Sequence, residues 1–140
     1  MNNLFFEVER SGIFSTFQDS GFANVQHLGI TTGGVMDSNL FKISNKLLNN
    51  HLNETAIEFA YQGPKLKLVS GKTKIVIAGD VYFKIIRKNK IETNKVFYPF
   101  QTYNLHEGDI LDIIATKNSI YGYLAIKGGF KLKKYFSSGS

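Results

Sequence analysis

A chain of 140 residues, 43% hydrophobic and 20% charged, is long enough for one compact domain and too apolar to remain disordered. It has no cysteine, which excludes disulfides and thiolate metal sites. The formal charge of +6 is uneven, with 3 basic and 6 acidic residues in 1–64 against 14 and 5 in 65–140.

A basic half attracts nucleic acid, an anionic substrate or an acidic partner. Only Arg10 and Arg87 offer the planar fork that reads bases and phosphates; the other basic residues are Lys, so nucleic-acid binding is not expected. The opening MNNLFFEVER lacks a basic region and carries Glu7 and Glu9, unlike a signal peptide. No apolar run approaches the roughly 20 residues that span a bilayer. A cytoplasmic protein without membrane contact is expected.

In chain order, LFFEVER (4–10) alternates, with Leu4, Phe6 and Val8 on one face and Glu7 and Glu9 on the other, and reads as a strand. GIFSTF (12–17) is expected to pair with it through Ser11-Gly12. MDSNLFKISNKLL is helical: Met36, Leu40, Ile43 and Leu47 form one stripe, with Asp37 as N-cap and Asn49-Asn50 as terminator. TAIEFAY (55–61) is rich in β-formers and KLKLV (65–69) alternates strictly. KIVIAGDVYFKIIRK (74–88) reads as two strands, or as one bent at Gly79-Asp80, with a turn at Lys88-Asn89-Lys90. DILDIIAT (109–116) and SIYGYLAIKG (119–128) suggest a hairpin through Lys117-Asn118. Many strands and one helix imply a mostly antiparallel barrel or sandwich.

Gly33-Gly34 precede the helix, where free N–H groups favour an anion, but neither GxxxxGKS nor GxGxxG spacing is present. Asp37 also competes for those N–H groups, so a nucleotide loop is not expected. Gln18, Asp19, Gln26 and His27 crowd the segment before the glycines, which suits either a substrate pocket or a solvated loop. His27, His51 and His106 lie far apart without metal-ligand spacing, and no metal site is expected. There is no GxSxG and no Ser/His/Asp set by spacing. Glu58 interrupts the apolar strand AIEFAY; it reads as an outward-facing strand residue or as a partly buried carboxylate able to move a proton. YLAIKGGF (123–130) ends in a glycine pair that lets another segment approach the backbone.

Taken in order, these pieces resemble the biotin-dependent carboxyltransferase-like family. It is also called the allophanate hydrolase subunit 2 or KipA-like family, and it includes a 5-oxoprolinase subunit. Thr16, Gln18, Asp19, Gly21, Gln26, His27, Gly29, Gly33, Gly34, Met36 and Asp37 fit its first block. Asn45 fits the helix; Glu58, Gly63 and Pro64 fit the next block; Gly79, Tyr123, Ala125, Gly128 and Gly129 fit later ones. The chain departs with GFAN where the family has Gly-Arg-Pro-Gly, and with Thr31-Thr32 where prolines are common.

The resemblance implies a cyclophilin-like antiparallel β-barrel with one main helix. Family proteins are roughly twice as long, and YFSSGS resembles a segment near their midpoint. Residues 1–140 are therefore expected to be a single domain, the N-terminal half of a carboxyltransferase-like protein, with the second barrel absent. The resemblance further implies a subunit of an ATP-dependent 5-oxoprolinase-type complex, a hydrolase that opens the lactam of 5-oxoproline to glutamate. It would act with a sister subunit of the allophanate hydrolase subunit 1 type. The alternatives are a biotin-dependent carboxyltransferase acting on urea or a related amide, and a non-catalytic module regulating a kinase-inhibitor-like partner. ATP would belong to the complex, and biotin, for which no MKM motif is present, to another chain. Gln18, Gln26, His27, Gly33, Gly34 and Asp37 are the expected substrate-binding residues, with Asp19 and Glu58 as catalytic candidates.

Overall fold

The computed structural model describes residues 3–19, 35–88 and 95–131. The strands are β1 (Phe5–Arg10), β2 (Thr16–Gln18), β3 (Ala56–Ala60), β4 (Lys65–Ser70), β5 (Thr73–Ala78), β6 (Val81–Ile86), β7 (Thr102–Leu105), β8 (Ile110–Thr116) and β9 (Tyr121–Ile126), with helix α1 (Ser38–Leu47) between β2 and β3. They form two antiparallel sheets, ordered β1-β4-β8-β6 and β2-β3-β9-β5-β7. The mostly-β expectation with one main helix is borne out. Among the described residues the two ladders do not join into one hydrogen-bonded ring.

Alternation within the strands sorts side chains between layers. Phe6, Leu66, Leu68, Phe83, Leu111 and Ile113 from the first sheet meet Ile57, Phe59, Ile75, Ile77, Leu124 and Ile126 from the second. The second sheet is also covered on its other face, where Ala56, Ala78, Ala125 and Val76 pack beneath Phe41 and Leu48 of the α1 region. This double burial explains why AIEFA is buried at all five positions instead of alternating. Alanines under the helix let it approach closely. Among the described residues no helix is long and apolar enough to cross a membrane.

Two expected pairings are corrected. Residues 12–17 do not pair with residues 4–10; β1 pairs with β4, and β2 pairs with β3 in the other sheet. Gly12 and Phe14 have φ of 80° and 51°, so the chain turns twice before β2. A Cβ on Gly12 would lie 2.6 Å from the Gly63 carbonyl carbon, so the two segments cross there in backbone contact. The hairpin between 109–116 and 119–128 is also absent, because β8 and β9 lie in different sheets.

The 74–88 stretch is two strands, and these too belong to different sheets. Both connections are corners between layers, and they hold each other. The Lys117 N–H donates to the Asp80 carbonyl at 2.8 Å, and the Asn118 N–H and side-chain amide donate to the Asp80 carboxylate at 3.1 and 2.7 Å. Sequence adjacency signals a turn equally well for a hairpin and for such a corner. Strand β7 adds an element that the sequence pattern does not predict. Of the expected turn at Lys88-Asn89-Lys90, residues 89 and 90 lie outside the described residues.

The helix begins and ends as expected. The Asp37 carboxylate accepts from the Leu40 N–H at 3.1 Å, and Asn49 is left-handed with φ of 57°. The buried face is shifted, however: Met36, Ile43 and Leu47 are exposed, while Phe41, Ser44, Asn45 and Leu48 are buried. Two polar residues fall outside the hydrophobic stripe yet are buried because their hydrogen bonds are satisfied internally. Ser44 donates to the Phe41 carbonyl at 2.7 Å. Asn45 donates to the Leu52 and Glu54 carbonyls at 3.2 and 2.9 Å and accepts from Asn50 at 3.0 Å. Asn50 in turn donates to the Ile126 carbonyl and accepts from the Gly128 N–H, tying the helix end to β9.

Replacing Asn45 by Ala should lower the unfolding free energy by about 1–3 kcal/mol, because it removes a fully buried amide with three hydrogen bonds that tie the helix end to residues 50–54. Urea unfolding of Asn45→Ala beside exposed Lys46→Ala checks this; equal losses in the two variants would refute it.

Candidate functional site

Directly opposed residues of antiparallel strands share a face. The register sets Thr16 opposite Glu58 and Glu58 opposite Tyr123, so a polar row crosses β2, β3 and β9 on the side that carries α1. Glu58 and Tyr123 are buried, and Tyr123 has no exposed surface. The Tyr123 hydroxyl donates to Glu58 Oε2 in a short hydrogen bond. The same oxygen accepts from the Met36 N–H at 2.7 Å, and the Tyr123 hydroxyl accepts from the Asp37 N–H at 2.9 Å. Two side chains from the sheet therefore hold the two residues immediately before α1, whose own first turn is capped by Asp37.

Burial pushes the Tyr123 hydroxyl pKa well above its ordinary value near 10, reinforced by its hydrogen bond to Glu58 and opposed by the Asp37 N–H. Tyr123 thus keeps its proton and remains a donor. The edge of its ring meets Phe41, with centroids 6.1 Å apart, which adds an apolar seat for the same helix turn.

Gln18 follows Thr16 by two residues on the same face of β2, opposite Ala56. It is buried, and its amide donates to Thr16 Oγ1 at 3.0 Å. Asp19 follows it, half-buried. The structure thus places Gln18 and Glu58 on one face of one sheet, with Asp37 held at the start of α1 by the Tyr123 hydroxyl. Gln26, His27, Gly33 and Gly34 lie outside the described residues. The reading of Glu58 as outward-facing is corrected: all of β3 is buried, with Ala56 packed in the cluster of Phe41 and Leu48 and Glu58 met by Tyr123 and by the Met36 N–H just before α1. Tyr123 and Thr16 match family motifs in the sequence without being marked as site residues, since only the strand register shows that they flank Glu58. Among the described residues no group of three or more His, Cys, Asp or Glu is placed to hold a metal ion.

The family described as "Carboxyltransferase domain, subdomain A and B" matches residues 28–140. The chain belongs to this carboxyltransferase family. Along 96% of its length it is 34% identical to the urea amidolyase of Lachancea kluyveri, of which it spans 7%. Along 89% it is 29% identical to a 5-oxoprolinase subunit of Haemophilus influenzae, of which it spans 38%. The solved Kluyveromyces lactis urea carboxylase superposes on 91% of the chain with a TM-score of 0.74 and 26% identity, over 11% of its own length. The chain therefore spans well under half the length of these carboxyltransferase relatives. The Glu58–Tyr123 row is built from two of the family blocks recognised in the sequence, and it holds the Met36-Asp37 end of a third.

The raised Tyr123 pKa sets a pH signature. The native state keeps a proton that the unfolded chain releases above pH ~10, so this stabilisation is complete below that pH and is lost as pH rises toward the folded value. Tyr123→Phe should cost about 1–3 kcal/mol at neutral pH, and the gap to wild type should shrink above pH ~10. Urea unfolding of both proteins across this range tests it; a gap that stays constant would rule out a buried, protonated Tyr123.

Proposed function

We propose that this chain contributes a substrate-positioning wall to a 5-oxoprolinase-type complex that opens the lactam of 5-oxoproline to glutamate. In that reading it works with a sister subunit of the allophanate hydrolase subunit 1 type, in a reaction driven by ATP. The observation that carries the proposal is the clamp of Glu58 and Tyr123 on the residues before α1, beside Gln18. The likeness to a 5-oxoprolinase subunit supports the substrate class.

Ring opening adds water across the lactam C–N bond, and charge develops on the carbonyl oxygen. Fixed N–H donors stabilise that charge because they need no reorganisation during the reaction. The amides of Gln18 and Gln26 and the backbone N–H groups of Gly33 and Gly34 are our candidates for that task, and His27 is a further candidate for binding substrate. Asp19 is the candidate for proton transfer. Glu58 enters as a positioning residue, because both of its contacts hold other groups in place. Asp37 serves as the cap that fixes the helix start.

The helix start does not fit a triphosphate, since Asp37 sets a carboxylate where a phosphate would sit. In this reading ATP is therefore not bound at the helix start and belongs to the complex, and biotin, where it is used, is carried by another chain. The remainder of a full carboxyltransferase unit would come from residues beyond these 140 or from another chain.

A second reading, a carboxyltransferase domain acting on urea or a related amide, is favoured by the higher identity to urea amidolyase. Both substrates present an amide-like carbonyl, so the same donors serve either.

Reconstitution with the sister subunit, ATP and 5-oxoproline separates the two. Glutamate release is expected, and Gln18→Ala should lower kcat/KM about 10- to 100-fold, the loss of one hydrogen bond to a reacting carbonyl. Unchanged kinetics in Gln18→Ala would remove it from the site. In a parallel reaction supplied with urea, bicarbonate and a biotin carrier with its carboxylase, carboxylation of urea without glutamate release from 5-oxoproline would transfer the assignment to the second reading.

A further inference from the structure

A second polar row crosses the same sheet face at the other end of α1. Lys74 on β5 is opposite Asn104 on β7, and the Lys127 N–H, just past β9, donates to the Lys74 carbonyl at 3.0 Å. Lys127 lies four positions after Tyr123 along the chain, a rise of ~13 Å in extended backbone. The ten-residue helix is ~15 Å long, so its two ends reach the two rows. The helix packs on β5 and β9. The helix-side face of β7, which carries the exposed Thr102 and Asn104, forms part of the floor of an open groove of about 670 Å³. Its walls include Leu47 and Asn49 from the helix end, with Lys72 and His106.

The charge of this groove is one-sided. Lys72, Lys74, Lys127 and His106 line it, and among the described residues no Asp or Glu does. Lys127 answers the helix C-terminus by donating to the Leu48 carbonyl at 2.8 Å. Lys72 and Lys74 have no ion-pair partner among the described residues. Lys74 lies on β5, Lys72 just before it and Lys127 just past the neighbouring β9, and all three are exposed. Partly exposed Leu47 adds an apolar wall. Several exposed cations in one open groove beside an aliphatic wall match a chain carrying several carboxylates. Addition of a strand to the free edge of β7 is opposed by Arg87, which donates to the Asn104 carbonyl at 2.6 Å.

We propose that this groove docks an acidic, extended segment of a partner protein, seated across β5 and β7 with its carboxylates on Lys72, Lys74 and Lys127. The proposal is independent of the reaction at the opposite end of α1. Electrostatic docking of this kind is fast to associate and weakens with salt.

The test uses fluorescence anisotropy with fluorescein-labelled octaglutamate as the probe. Saturable binding is expected, weakening with added chloride. The double variant Lys72→Glu/Lys74→Glu should weaken it at least about tenfold, while Lys42→Glu/Lys84→Glu, equal in charge change but on other surfaces, should weaken it less than about threefold. Lys72→Gln/Lys74→Gln gives the same comparison should charge reversal disturb folding, and it should weaken binding more than Lys42→Gln/Lys84→Gln. Absence of saturable binding, or equal losses in groove and control variants, overturns the proposal. Displacement of the peptide by inorganic phosphate beyond the effect of chloride at equal ionic strength also overturns it, in favour of a small-anion site.

Discussion

A buried carboxylate is tolerated only when enough donors meet it, and Glu58 is tolerated because Tyr123 and the Met36 N–H do so. The rest of the site depends on this arrangement. Glu58 lies on the central part of a sheet covered on both faces, where an unpaired charge would cost several kcal/mol. The donors that satisfy it come from a neighbouring strand and from the chain entering α1. The sheet, the helix and the segment leading into the helix are therefore mutually required. Losing any one leaves a buried polar group unmatched, a stronger constraint than apolar packing, which tolerates small displacements.

The same sheet explains how a chain of this size carries a helix without losing its core. One face builds the layer against the first sheet; the other uses Ala56, Ala78 and Ala125 to seat Phe41 and Leu48. Gly122 extends the logic, since a Cβ there would lie 2.6 Å from the Phe59 ring that packs across it. Small residues on one strand make room for aromatic rings on the next, and the volume is conserved between them. The corners at Gly79-Asp80 and Lys117-Asn118 then carry the chain between layers, and their mutual hydrogen bonds fix both crossings with one carboxylate.

Local features are legible in the sequence where they depend on neighbours in the chain. The Asp37 cap, the left-handed Asn49 and most strands follow from spacing and residue type. The family is legible because its blocks are ordered along the chain. What escapes has a common cause. A hairpin and an interlayer corner share the same turn signals, so β8 and β9 read as a pair in the sequence. The buried face of α1 includes Ser44 and Asn45, whose burial depends on carbonyls elsewhere in the chain. Tyr123 is visible only as a motif residue, because its relation to Glu58 spans 65 positions and is set by register alone. Strand β7, four residues long, falls below what periodicity resolves.

The two polar rows at the ends of α1 show why burial decides what a polar group does. In the row of Glu58 and Tyr123 every identified contact is internal, so its energy goes into fixing one conformation of the helix start. In the row of Lys127, Lys74 and Asn104 only Lys127 is directed inward, toward the carbonyls at the helix end. Lys74 stays in water, at little cost to folding, and keeps its charge available. A fold of this size has few rigid surfaces, and α1 gives it two at once. The buried end supplies a fixed geometry beside Gln18, and the exposed end supplies a charge pattern held in register by β5 and β7. The first kind of surface suits chemistry, which requires atoms held in place. The second suits recognition, which requires free charge on a stable frame.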